Sequence, residues 1–216
     1  MKLKGRMSRT ILTVSFLALD LSLFFYLSIQ PTPGNIGARQ SVNQSSVKVT
    51  KVNKIEENSI ARSVAVDDAS VFPIVQQPKG EPNYVSTNNG ELTLFSSASR
   101  YGNIGLLAHN YLSGKSFSHL SVGQEISLVY EDGDIEYFVV SEILQYQALD
   151  PENPFSTFQN MNNKNEILTA QQMFERVYEG HRHVTFQTCI AKYGESSWGR
   201  LFVVALPEAT SLSFMH

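Results

Sequence analysis

A chain of 216 residues, 42% hydrophobic and 17% charged, has room for one folded domain plus appendages and enough apolar content for a core. Its formal net charge of -3 excludes the basic stripe that nucleic-acid binding needs, so no nucleic-acid partner is expected. A single cysteine, Cys189, excludes an internal disulfide and a multi-cysteine metal site; a buried inert thiol or a reactive one remains.

In chain order, Lys2, Lys4, Arg6 and Arg9 form a basic tail over 1–10, ahead of an apolar run over 11–29. Those 19 residues approach the roughly 20 that cross a bilayer as a helix, although Asp20 interrupts them at a cost of about 2.5–3.5 kcal/mol. The run is longer than the apolar core of a signal peptide and leads into Gln30-Pro31-Thr32-Pro33 without a small-x-small cleavage site. It reads as an uncleaved, single-pass signal anchor with the N-terminus in the cytoplasm and everything after it outside. Residues 30–70 are rich in Ser, Asn, Gln, Val and Lys and read as a flexible stalk.

The folded domain is expected over 71–208, with a short tail over 209–216. Strands are predicted at 71–76, 91–95, 104–109, 125–130, 135–145, 184–190 and 201–206. The pair flanking Glu131-Asp132-Gly133-Asp134 reads as a hairpin in which Ile126, Leu128 and Tyr130 face Ile135, Tyr137 and Val139. Its acidic turn fits a solvated tip better than a calcium site. A polar, asparagine-rich loop spans 150–165. One helix is predicted over 170–179, with a Thr169/Gln172 capping box, a Leu168/Met173 staple and Gly180 at its end. Many short strands with one inserted helix indicate an all-β fold, a small closed barrel.

Cys189 ends a β-rich run and shares a strand face with Gln187, Thr185 and His183. A reactive cysteine needs a base within hydrogen-bond reach. His183 lies six residues back along an extended strand, about 20 Å at about 3.3 Å per residue, which is too far. His181 and His183 read as solvated loop residues, His119 as part of a loop packed on the barrel, and His216 as terminal. His109 follows the apolar stretch Ile104-Gly105-Leu106-Leu107-Ala108, where it is suited to a barrel rim. Arg200 opens the last apolar strand after a polar loop over 191–199, and a hairpin would bring it beside Cys189. There it would stabilise negative charge; the alternative is an ordinary charged strand end.

Thr185-Phe186-Gln187-Thr188-Cys189 resembles the Thr-Leu-x-Thr-Cys signature of the sortase family, with Phe186 where leucine is usual. Leu107-Ala108-His109-Asn110 resembles the strand end that carries the family's catalytic histidine, and Gly199-Arg200-Leu201-Phe202-Val203-Val204-Ala205 the strand that opens on its arginine. The resemblance covers roughly residues 71 to 206, and the motifs occur in the family's chain order. It implies a closed eight-stranded barrel, an N-terminal anchor and a cysteine transpeptidase with no cofactor. In that reading Cys189 is the nucleophile, His109 the acid and base, and Arg200 the stabiliser, with Thr185 and Thr188 of the signature contacting substrate. The implied partners are secreted proteins with a C-terminal sorting signal, and an amino acceptor in a cell-wall precursor or another protein. Two alternatives stand beside it: a degenerate sortase-like binding domain without turnover, and another cell-wall cysteine transpeptidase, whose Ser-x-Gly-Cys flank is missing here.

Overall fold

A computed structural model describes residues 60–67, 70–153 and 155–208. The basic tail, the apolar span over 11–29, most of the stalk and the 209–216 tail lie outside the described residues. Among the described residues no helix is long and apolar enough to cross a membrane.

The described residues form ten strands: β1 (Ala61–Asp67), β2 (Ser70–Gln76), β3 (Leu92–Leu94), β4 (Ile104–Leu107), β5 (Glu125–Tyr130), β6 (Ile135–Ala148), β7 (Phe158–Asn160), β8 (Ile167–Leu168), β9 (Val184–Lys192) and β10 (Glu195–Pro207). Hydrogen bonding runs in the order β10-β9-β4-β3-β2-β1-β5-β6, and β6 also pairs with β10. Those eight strands therefore close on themselves, the barrel expected from the sequence. β7 and β8 extend from the far half of β6 as a short side ribbon.

Two expectations need correction. The domain begins earlier than residue 71: β1 lies inside the stretch assigned to the stalk, bonded to β2 and β5, with Val64 and Val66 buried. The β5–β6 hairpin pairs residues of equal parity, Ile126 with Phe138 and Val129 with Ile135. Phe138 and Val140 therefore point inward, while Ile135 and Tyr137 are exposed. The cause is a three-residue loop, Glu131-Asp132-Gly133, closed by Tyr130 N–H donating to Asp134 O and Gly133 N–H donating to Tyr130 O, with Gly133 at φ 88°. A left-handed glycine at that place is the habit of three-residue hairpin loops, and the odd loop length shifts the partner face by one residue.

The described residues build two apolar cores on opposite faces of the same strands. Inside the barrel lie Val64, Leu106, Ile126, Leu128, Phe138, Phe186, Leu201 and Val203. On the outer face of β4, β9, β10 and β6 lies a second core, covered by helix α1 (Ala170–Tyr178) and β7. Helix α1 starts with the predicted capping box, in which Thr169 Oγ1 accepts from Gln172 N–H and Thr169 N–H donates to Gln172 Oε1. Its buried residues, Ala170, Met173, Phe174, Val177 and Tyr178, follow the i, i+3, i+4, i+7, i+8 spacing of one helix face. Close seating requires Gly105 in β4, where an added Cβ would come within 2.9 Å of the Tyr178 ring.

β6 serves both cores by changing face midway. Phe138 and Val140 face the barrel interior, whereas Leu144, Tyr146 and Ala148 face the outer core. The switch coincides with a register shift against β10 between Val204 and Ala205, where Ser141 is the extra residue and its Oγ donates to Val204 O. A bulge of this kind inserts one residue and so reverses the alternation beyond it.

Candidate active site

The outer face of β9 presents His183, Thr185, Gln187 and Cys189 in turn. The first three are committed to the C-terminal end of α1. His183 Nε2 lies 3.0 Å from Val177 O, Thr185 Oγ1 donates to the same oxygen at 2.7 Å, and Gln187 Oε1 accepts from Tyr178 O–H at 2.6 Å. Cys189 is the next position beyond the helix, half-buried at the edge of the outer core.

Register brings the other two residues alongside. β9 and β10 are antiparallel with Cys189 opposite Arg200, so the arginine is the cysteine's direct cross-strand neighbour. On the other side, β4 and β9 run parallel with Leu107 opposite Gln187, and Ala108 N–H donates to Gln187 O. Two residues further along each chain stand His109 and Cys189. Adjacent strands lie about 4.8 Å apart, so Cys189 and Arg200 are direct neighbours, and His109, two residues past the last paired residue of β4, follows on the side of Cys189 away from Arg200. Parity gives Cys189 and Arg200 the same face: Phe202 and Cys189 pack on the outer core, whereas Leu201 packs inside the barrel; His109 lies on that side too, since it hydrogen-bonds the backbone of Val85, an outer-core residue. The row continues through Tyr146, opposite Arg200, to Asn160, opposite Tyr146.

The hairpin that carries Arg200 is tighter than the polar loop expected over 191–199. Its turn is Tyr193-Gly194, with both residues at positive φ (54° and 83°), the signature of a two-residue turn suited to strand twist. The ladder then slips between Glu195 and Gly199 and re-forms with Gly199 opposite Ile190. Arg200 is 1% exposed, which makes it more than a charged strand end. Its Nη1 donates to Ser197 O and Gly199 O at 3.1 Å each, and its guanidinium lies 5.6 Å from the centre of the Phe158 ring on β7. A guanidinium fixed in this way has a set direction, which a hydrated lysine ammonium would not share.

His109 is buried, and Tyr111 stacks on its ring at 5.1 Å between centroids and 21° between planes. Burial pushes its pKa below the usual histidine value, partly offset by a hydrogen bond to the backbone of Val85. The neutral imidazole is thereby favoured, the form able to take a proton from a thiol or an amine. Its backbone is held by the 3-10 turn Ser113–His119, since His109 O accepts from the N–H groups of Leu112 and Gly114 at 3.0 Å. The loop reaches across the end of β9 through Asn110 Nδ2, which donates to Ser196 O at 3.1 Å.

A groove of about 660 Å³ opens beside Cys189, with Thr188, Ser196, Tyr111, Lys115 and His119 in its walls. His109 and Arg200 do not line it; they sit buried on either side of the cysteine. His119, expected simply to pack on the barrel, lines this groove.

Three other expectations change. Thr185 is fully buried, its hydroxyl on Val177 O, and it lies four residues from Cys189, about 13 Å along a strand, where it serves the packing of α1. Thr188 does line the groove, but its hydroxyl donates to Ala108 O at 2.8 Å and ties β9 to β4 just before His109. His183, expected in solvent, is buried with its Nδ1 2.7 Å from His181 O and its Nε2 on Val177 O, a structural pair of contacts. Sequence reasoning missed Tyr111, Phe158 and the Asn110–Ser196 link. Of these, Tyr111 alone carried a signal, as an aromatic residue two places after a polar strand end.

No protein-family model matches the sequence, and no curated protein does. Several solved structures are similar at low identity. Sortase C1 of Streptococcus agalactiae, in complex with MTSET, shares 16% identity over 67% of this chain and 65% of its own, with a TM-score of 0.43. Sortase A from Corynebacterium diphtheriae shares 13% over 68% of this chain and 60% of its own, with a TM-score of 0.46. Sortase C from Clostridium perfringens SM101 shares 14% over 71% and 72%, with a TM-score of 0.41. The chain thus spans less than two thirds of the streptococcal and corynebacterial proteins. The solved structures with which these likenesses are found are all sortases.

Proposed function

We propose that the protein is a sortase-type cysteine transpeptidase. The observation that carries this reading is the row His109–Cys189–Arg200 on one sheet face, formed by three segments that each resemble a sortase motif. As neutral His109 takes the thiol proton, Cys189 Sγ attacks a carbonyl carbon within the sorting signal of a secreted protein, and a C–S bond forms. As the C–N bond breaks, the His109 imidazolium protonates the departing amine. An incoming amine then attacks the thioester and gives its proton to the now neutral His109; a new C–N bond forms, the C–S bond breaks, and the departing Cys189 sulfur takes that proton back. Arg200 holds the carbonyl oxygen as negative charge gathers there in each tetrahedral intermediate. The basic tail and apolar run support an arrangement in which a single-pass anchor holds this domain outside the membrane.

The test is mass spectrometry of the full chain after incubation with a library of sorting-signal peptides. The expected result is a covalent acyl adduct on Cys189 that an added amine discharges, and no adduct in Cys189→Ala. Absence of an adduct with every peptide would leave the degenerate, non-enzymatic domain as the better reading.

A further inference from the structure

The groove beside Cys189 has a charge character that the proposed chemistry does not use. Among the described residues, Lys115 and His119, both exposed and both from the 3-10 turn Ser113–His119, are the ionisable side chains in its walls apart from Tyr111 and the cysteine, and no carboxylate lines it. The chain as a whole is net acidic, so a basic wall at this place runs against the average. Glu195, an acid close by in sequence to the lining residue Ser196, is turned onto Ser197 N–H at 2.8 Å.

The groove also approaches Cys189 from a particular side. Leu201 in its wall belongs to the barrel-interior face, as does Ile190, whereas Arg200 and Phe158 belong to the outer face. A substrate whose carbonyl oxygen meets Arg200 lies against the outer face. The groove then lies on the other side of the reacting carbon, where the acyl chain or the amine can stand.

Resting on the transpeptidase reading, we propose that this groove selects an acceptor amine bearing a free carboxylate, held by Lys115 with His119 beside it. Lys115 is a specificity-determining residue and takes no part in bond making. A carboxylate on the acceptor and one within the sorting signal share the same chemistry, and they separate kinetically. The first affects discharge of the acyl-enzyme; the second affects its formation.

The test uses the full chain, the sorting peptide that acylates it fastest, and two acceptors, trialanine and trialaninamide. Trialanine is expected to show a KM about threefold to fivefold lower, the range an exposed ion pair supplies. In Lys115→Ala that preference should fall within about twofold while the KM for the amide stays put, and Lys115→Arg should restore it. Equal KM values in the wild type, or an equal rise for both acceptors in Lys115→Ala, would overturn the inference. So would an effect of Lys115→Ala confined to acylation by sorting peptides that carry an acidic residue. If no acyl-enzyme forms with any peptide, the function reading fails, and the groove is judged by NMR titration with the same two peptides. Shifts at Lys115 and His119 that favour trialanine would uphold the carboxylate preference, and identical shifts would end it.

Discussion

Gly114 offers the sharpest probe of how the barrel positions His109. It packs into the angle between β4 and β9. A Cβ there would overlap Thr188 Oγ1 and come 2.7 Å from His109 O and 2.8 Å from Ala108 O. Thr188 can rotate, but the two carbonyls are backbone, so in Gly114→Ala the turn must move away from the strand ends. Overpacking of this kind costs about 1–3 kcal/mol. Loss of the Thr188–Ala108 hydrogen bond adds about 1 kcal/mol, so about 2–4 kcal/mol is expected in all. For a domain of this size that lowers Tm by roughly 5–15 °C. The same displacement shifts His109, whose carbonyl accepts from Gly114 N–H, and a misplacement near 1 Å costs about 10²-fold in rate. Calorimetry and the single-turnover rate of acyl-enzyme formation measure the two effects. Adding Thr188→Ala relieves the worst overlap and leaves both carbonyl contacts, so the double variant should regain only part of the stability. A Gly114→Ala protein within about 0.5 kcal/mol of wild type that acylates at the wild-type rate would refute this account.

The remaining predictions concern ionisation, a structural histidine and topology. Burial disfavours the charged form of His109, so its imidazole should titrate below 6.5 in an NMR pH series. The folded protein then takes up this proton less readily than the unfolded chain, and this residue's contribution lowers stability as pH falls through and below 6.5; a midpoint at or above 6.5 would contradict the assignment. His183→Ala should destabilise the fold by about 1–3 kcal/mol in chemical denaturation, because it removes a buried ring that bridges His181 O and Val177 O and leaves Val177 O with Thr185 alone, while acylation per folded molecule stays near wild type. A selective loss of turnover would mean that β9 is read wrongly. Protease added to intact, wall-stripped cells should digest the barrel or stalk and spare the first residues; protection of the whole chain would reverse the orientation.

Long alternating runs made β5, β6, β9 and β10 legible, and the capping box made α1 legible almost to the residue. What escaped was structure whose signal is short or relational. β1 reads Ala61-Arg62-Ser63-Val64-Ala65-Val66-Asp67, small residues at the end of a polar stretch, and only its pairing with β2 and β5 marks it as part of the barrel. β7 and β8 have three and two residues, too few for a period to show. The asparagines between them act through local side-chain bonds, as when Asn160 Oδ1 accepts from Asn162 N–H, a pattern that composition reads as loop. The hairpin parity turned on one residue of loop length, and the reversal within β6 turned on one bulged serine.

The same distinction explains why the candidate site was only half visible. Alternation within a strand told which residues share a side with Cys189, but not which side of the neighbouring strand meets them. Relative parity is set by register, and register here depends on features remote from the row itself. The slip between Glu195 and Gly199 sets which residue of β10 stands opposite Cys189; a ladder running unbroken from Glu195 opposite Lys192 would pair the cysteine with Trp198. The bulge at Ser141 then turns Tyr146 to the outer face, and Phe158 of the adjoining ribbon lies under the guanidinium. Residue identities name the three groups as chemically apt. The two ladder irregularities put the arginine opposite the thiol and build the apolar floor that fixes it there.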